Sequence, residues 1–287
     1  MYDKAMMTVP FQTRFSTLAA ERSPLCVGVD PSGDALRQWG LTDDARGLRA
    51  FCERMVDACA PLVAVIKPQI AFFERLGPAG MEVLRDIVQR AHGHGALVII
   101  DAKRGDISTT ASAYAEAFLG HGSAYGGDAL TVSAYLGFAS LTPFLEIARR
   151  EATGLFVLVR SSNPEGTELQ QAIMPDGRSI AERLADDITA ENGPAENGSG
   201  APGPIGAVVG ATLGAEAGRI AARLPNALML VPGIGAQGAT IADVRRDFGT
   251  HYARVIASVS RGIARGGPDA GGLRDTVNRH IAEIRAA

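Results

Sequence analysis

The chain has 287 residues, a formal net charge of -3, 46% apolar residues and 21% charged residues. That balance is the balance of a globule and excludes a disordered chain, a fibre and a disulfide-stapled mini-protein. Near-neutral charge argues against nucleic acid or a membrane surface as partner, and no apolar run approaches the roughly 18 residues of a membrane span.

The opening MYDKAMMTVPFQTRF lacks the apolar core of a signal peptide, so a cytoplasmic location is expected. FQTRFSTLAAER predicts a short N-terminal helix. Eight short, nearly continuously apolar runs follow: PLCVGVD (24–30), LVAVIK (62–67), ALVIIDAK (96–103), ALTVSAY (129–135), GLFVLVR (154–160), IGAVVGAT (205–212), ALMLVPG (227–233) and RVIASVS (254–260). Strands buried on both faces read this way. Amphipathic helical stretches lie between them. TDDARGLRAFCERMVDACA has Thr42 or Asp43 as its expected N-cap. GMEVLRDIVQRAHGHG ends with His92 and His94, expected in a solvated C-terminal turn. STTASAYAEAFLGHG, ASLTPFLEIARREATG, RSIAERLADDITAEN, GAEAGRIAARLP, GATIADVRRDFG and GGLRDTVNRHIAEIRAA complete the set. Eight strand-then-helix units predict a single (β/α)8 TIM barrel, one domain over 1–287, with a doubly wound open sheet as the alternative. ENGPAENGSGAPGP (191–204) reads as a flexible surface insertion before strand six. Cys26, Cys52 and Cys59 read as small buried hydrophobes, and the five histidines make no metal-binding spacing.

Of 28 basic residues only Lys4, Lys67 and Lys103 are lysine; the other 25 are arginine. Lys67 and Lys103 both end apolar runs. A lysine ammonium can hand over a proton, whereas a guanidinium cannot readily do so. Barrel sites sit at the C-terminal strand ends. The polar residues there are Asp30, Lys67, Asp101 with Lys103, Ser133, Ser162, Thr212, the GIGAQG loop, and Ser260 with Arg261.

In VIIDAKRGDISTT, strand alternation puts Asp101 and Lys103 on one face. Gly105 is expected to turn the chain, and Asp106 to open the next helix, where the dipole favours an anion. The plain alternative is an ion pair followed by an N-cap. Carboxylate neighbours keep a cation charged, which suits a group that must protonate a basic carbon. In VPGIGAQGAT (231–240), followed by VIASVSRGI (255–263), glycines such as Gly235 are expected to bare backbone N–H groups for an anion. Gln237 adds an amide and Arg261 a phosphate-matching fork. Asp30, ending GVD, is either an Asx-turn residue or an acceptor for a sugar hydroxyl.

At these residues the sequence resembles the orotidine 5′-phosphate decarboxylase family, in its larger bacterial branch. The family's D-x-K-x-x-D-[I/V] segment stands here as Asp101, Lys103, Asp106 and Ile107, with its threonine at Thr110. GVD, IKP, VPGIGAQG and SRG follow in the right order. Three positions differ: Ser108 replaces a Gly, Pro or Ala, TVSAYLG lacks an Asn-Pro before Tyr135, and Ser260 replaces a frequent glycine. The resemblance implies conversion of orotidine 5′-phosphate to uridine 5′-phosphate and carbon dioxide, with no metal or organic cofactor. It also implies a homodimer with shared sites, Asp106 and Thr110 being donated across the interface. Lys67, Asp101, Lys103 and Asp106 would form the charged network, and Asp30 and Lys67 would hold the ribose. Ser162 would contact the pyrimidine, and Gln237 and Arg261 the phosphate. The loops NPEGTELQ and GIGAQGAT are the expected lids.

Three rivals remain open. Magnesium-dependent sugar-phosphate barrels share a similar strand, but a metal site prefers a carboxylate where Lys67 stands. A non-catalytic phosphate-binding barrel is allowed by the fold. An imine-forming aldolase would need a neutral lysine, which the acidic neighbours oppose.

Overall fold

The computed structural model describes residues 8–194 and 202–286. Eight parallel strands form a closed ring: β1 Cys26–Val29, β2 Val65–Pro68, β3 Leu97–Arg104, β4 Ala129–Val132, β5 Gly154–Arg160, β6 Ile205–Val209, β7 Met229–Pro232 and β8 Val255–Val259. Each lies inside one of the expected runs or within a residue of it. The open-sheet alternative is excluded by the last pairing, in which Cys26 faces Ser258 and Val27 faces Val259.

Alternation along the strands sorts the core into two bodies. In β3, Val98 and Ile100 point out of the ring and join the large cluster packed under the helices. Leu97 and Ile99 point inward, into a cluster with Cys26, Val65, Phe156, Val208, Leu230 and Ile256. The helix Phe11–Glu21 closes the N-terminal mouth of the barrel, contributing Phe11, Phe15 and Leu18 to that inner cluster. Phe11 meets Phe156 edge-to-face at 5.8 Å. With the lower half filled by side chains, the inward positions that follow, Asp101 and Lys103, stand at the open upper end.

Asp128, directly before β4, is buried and anchors the lower end. Its carboxylate accepts from Arg14 at 2.5 Å, from the Val98 amide at 2.8 Å, and lies 2.8 Å from His92 Nε2. Burial would raise this carboxyl, but His92 and Arg14 hold it down at about 2. His92 is therefore a structural partner of a buried acid, not part of a solvated turn. The helix brings it back over the strand end before the chain exits. His94 pairs with Asp57 at 3.0 Å.

Three further local expectations change. The helix Ala45–Cys59 is capped by Asp44, whose Oδ1 accepts from the Arg46 and Gly47 amides at 2.9 Å. Thr42 donates to Asp44, and Asp43 turns away to Arg75. A short helix, Gly33–Gln38, also stands after β1, ahead of the longer helix expected there. The insertion is shorter than expected, because Asn192 still belongs to the helix Ile180–Asn192. Its amide donates to the Ile205 and Asn226 carbonyls at 2.8 and 3.1 Å. Residues 195–201 lie outside the described residues. The three cysteines are buried and unbridged. Among the described residues no helix is long and apolar enough to cross a membrane.

Candidate active site

The upper end of the barrel holds a cavity of about 290 Å³, walled by the ends of β1 to β3 and β5 to β8 and floored by Thr131 of β4. Asp30, Lys67, Asp101, Lys103, Ser162, Gln237, Ser260 and Arg261 all line it. Residues scattered over 232 positions of sequence thus converge because each follows a buried strand.

Asp101 is the centre. Its Oδ2 accepts from Lys67 Nζ at 2.9 Å and from Gln69 Nε2 at 3.2 Å. Its Oδ1 accepts from Lys103 Nζ at 2.6 Å and from Thr131 Oγ1 at 2.9 Å. Burial alone would raise the Asp101 carboxyl, but the two ammonium groups hold it well below the ordinary carboxylate range. Burial alone would likewise lower Lys67; Asp101 and then Asp30 overcome this and hold it above an ordinary lysine. Both residues are locked in their charged forms at neutral pH. Asp30 adds a second feature: its Oδ1 is buried with no hydrogen-bond partner among the described residues. An unfilled buried acceptor is unfavourable by about 1–3 kcal/mol, so it suits a ligand that brings a donor.

The opposite wall is suited to an anion. Gln237 Oε1 accepts from Ser162 Oγ at 2.5 Å, joining the loops after β5 and β7. That leaves the Gln237 amide hydrogens without a partner among the described residues. Arg261 follows β8 and makes no ion pair among the described residues. Ser260 sits over Gly28: a Cβ on Gly28 would lie 1.9 Å from the Ser260 hydroxyl oxygen, so the GVD glycine makes room for it. The Gly235 N–H, expected to be bare, donates to the Ala239 carbonyl at 2.8 Å, and Gly235 lies outside the cavity lining. Glycines chosen for a turn also close that turn's hydrogen bonds.

Asp106, Ile107 and Thr110 also lie outside the lining. Asp106 Oδ1 accepts from the Ile107 amide at 2.8 Å, ahead of the helix Ser108–Phe118. Ile107 is 57% exposed, and Tyr135 and Leu136, after the neighbouring strand, are 78% and 55% exposed. Ser108 has φ +50°, a conformation that glycine adopts without strain, at the position where the resemblance had a small residue. Gly105 serves close approach, since a Cβ there would lie 2.3 Å from the Ser133 carbonyl. Ser133 and Thr212 do not line the cavity. Gln69 and Thr131 do, although neither is among the expected site residues. A lone threonine inside the apolar run ALTV was the available signal for Thr131.

Comparison with known proteins agrees with this geometry. Residues 23–275 match the family described as orotidine 5′-phosphate decarboxylase / HUMPS. The chain is 50% identical over 277 residues to an orotidine 5′-phosphate decarboxylase of Myxococcus xanthus, covering 96% of each chain. It is 49% identical over 278 residues to the Streptomyces coelicolor enzyme of that name, covering 97% of this chain and 98% of the other. A crystal structure from Streptomyces avermitilis assigned to the same enzyme superposes with a TM-score of 0.92 at 48% identity, covering 100% of this chain and 99% of that one. The chain belongs to the orotidine 5′-phosphate decarboxylase family of carbon–carbon lyases.

Proposed function

We propose that the protein converts orotidine 5′-phosphate to uridine 5′-phosphate and carbon dioxide in pyrimidine nucleotide synthesis, using its own side chains alone. One observation carries this reading: Asp101 is held between Lys67 and Lys103 on the floor of a cavity whose far wall carries Gln237 and Arg261, the latter without an ion pair among the described residues.

The chemistry requires such a floor. Breaking the bond between ring carbon six and the carboxylate sends the bonding pair into an in-plane sp² orbital, which the ring π system does not directly delocalise. The Lys103 ammonium stabilises that developing charge and then gives its proton to the carbon. The lysine is left neutral and regains a proton from solvent. Asp101, hydrogen-bonded to both ammonium groups, orients them beside the reacting carbon. Asp30 and Lys67 hold the ribose, Asp30 Oδ1 accepting a hydroxyl. Ser162 meets the pyrimidine, and Gln237 and Arg261 take the phosphate. The phosphate is remote from the broken bond, so its binding energy is available to draw the loops after β5 and β7 together over the base.

We assign the working unit as a homodimer. Asp106 and Thr110 stand outside their own cavity, next to exposed Ile107, Tyr135 and Leu136. Exposed apolar side chains after β3 and β4 suit a second copy. Asp106 and Thr110 would then complete the neighbouring site. The chain folds as a single domain, and its three buried unbridged thiols fit a reducing cytoplasm.

The test is a spectrophotometric assay with orotidine 5′-phosphate after exhaustive chelation. Full turnover is expected. Absent turnover, or turnover lost on chelation and restored by magnesium, would overturn the reading.

A further inference from the structure

We propose that Thr131 is a positioning residue for Lys103, and that one hydroxyl sets the backbone from which the ammonium reaches the substrate; this rests on the decarboxylase reading above. The β3–β4 register is irregular. Ile100 faces Leu130, and Arg104 faces Val132, so Asp101, Ala102 and Lys103 all stand opposite Thr131 alone. Three residues against one is a bulge, and a bulge leaves amides without ladder partners while re-aiming side chains. Here the Thr131 hydroxyl supplies the missing acceptor. Its oxygen accepts from the Ala102 amide at 3.0 Å and the Lys103 amide at 2.9 Å. Its proton goes to Asp101 Oδ1 at 2.9 Å.

A hydroxyl has one donor and two acceptor positions, and all three are used. The consequence falls on Lys103, whose φ of +47° lies in the left-handed region that a side chain with a Cβ rarely adopts. That backbone turn folds the lysine back so that Nζ meets Asp101 Oδ1, two residues earlier in the same strand, at 2.6 Å. Thr131 thus ties both ends of one contact: it fixes the carboxylate oxygen that receives Nζ and the amide of the residue that carries Nζ. It is itself buried, at 1% exposure, so no solvent molecule replaces it readily.

The test compares Thr131→Val, which keeps the shape and removes the hydroxyl, with Thr131→Ser, which keeps the hydroxyl. Thr131→Ala, differing from Thr131→Ser by that hydroxyl alone, serves if the valine does not fold. Misplacement on the order of 1 Å costs up to about 100-fold in rate, so Thr131→Val and Thr131→Ala should lose about 30- to 100-fold in kcat with KM for orotidine 5′-phosphate within about threefold. Thr131→Ser should stay within about threefold of the native kcat. Hydrogen exchange, read without substrate, should quicken at the Ala102 and Lys103 amides in Thr131→Val and Thr131→Ala but not in Thr131→Ser. Native kcat in Thr131→Ala, or an equal loss in Thr131→Ser and Thr131→Ala, would overturn the proposal. Inactive native protein that keeps the exchange pattern would instead remove the decarboxylase reading and leave the bulge clamp standing.

Discussion

Replacing Asp101 by asparagine keeps the shape of the side chain and removes the one charge that faces two ammonium groups. The side chains of Lys67 and Asp101 are only 5% and 11% exposed, so water screens their attraction weakly. Breaking a buried pair from one side is unfavourable by about 3–5 kcal/mol. Asp30 still faces Lys67 and offsets part of this, which places the expected loss near 3 kcal/mol, or roughly 5 °C in Tm for a chain of this size. The pH dependence follows from the two displaced groups. The Asp101 carboxyl lies below its ordinary 3.8, so its contribution is present above that value and is lost as pH falls below it. Lys67 lies above its ordinary 10.5, so its contribution is complete below that value and is lost as pH rises through the folded-state value. In Asp101→Asn, burial acts on Lys67 with less opposition, and the lysine sheds its proton more easily. The gap between native and variant protein should therefore be widest near pH 7 and narrow towards both about pH 3 and about pH 10. Urea unfolding at these three values measures it. A gap under about 1 kcal/mol at pH 7, or one that does not change with pH, would refute the buried-pair reasoning.

Two further predictions concern the rim. Arg261→Ala should raise KM by roughly 10- to 100-fold, as expected for losing a charged hydrogen-bonding fork, with a smaller change in kcat; steady-state kinetics showing unchanged kcat/KM would contradict the phosphate assignment. Lys103→Ala and Asp106→Ala, each inactive alone, should regain up to about a quarter of native activity on mixing, because half the randomly exchanged dimers carry one intact site. Absence of recovery with subunit exchange proven by mass spectrometry would rule out a shared site.

The barrel was legible because its strands are buried on both faces. Continuous apolar runs such as ALVIIDAK and GLFVLVR have few other uses at that length. The two lysines were legible for a different reason: in a chain that otherwise uses arginine almost throughout, Lys67 and Lys103 stand at C-terminal strand ends. Details set by three-dimensional hydrogen bonding were not. Alternation placed Asp101 and Lys103 together, but the contact is made through a bulge and a left-handed lysine, which no periodic pattern encodes. Thr131 does not stand out in the sequence because its strand reads as apolar and its partners lie about 30 residues earlier. Gly235 looked like an anion nest, yet its N–H closes its own loop. The contact of His92 with buried Asp128, 36 residues away, is reached only once the barrel forms.

The central claim is that the Lys103 ammonium, fixed by Asp101, quenches the carbanion. Lys103→Ala tests it most directly, with kcat for orotidine 5′-phosphate and Kd for uridine 5′-phosphate measured on the same preparation. Loss of both charge stabilisation and proton transfer predicts a fall in kcat of roughly 10⁴-fold or more, with Kd within about tenfold of native. Turnover within about tenfold of native, in a variant that still binds the product, would contradict the account.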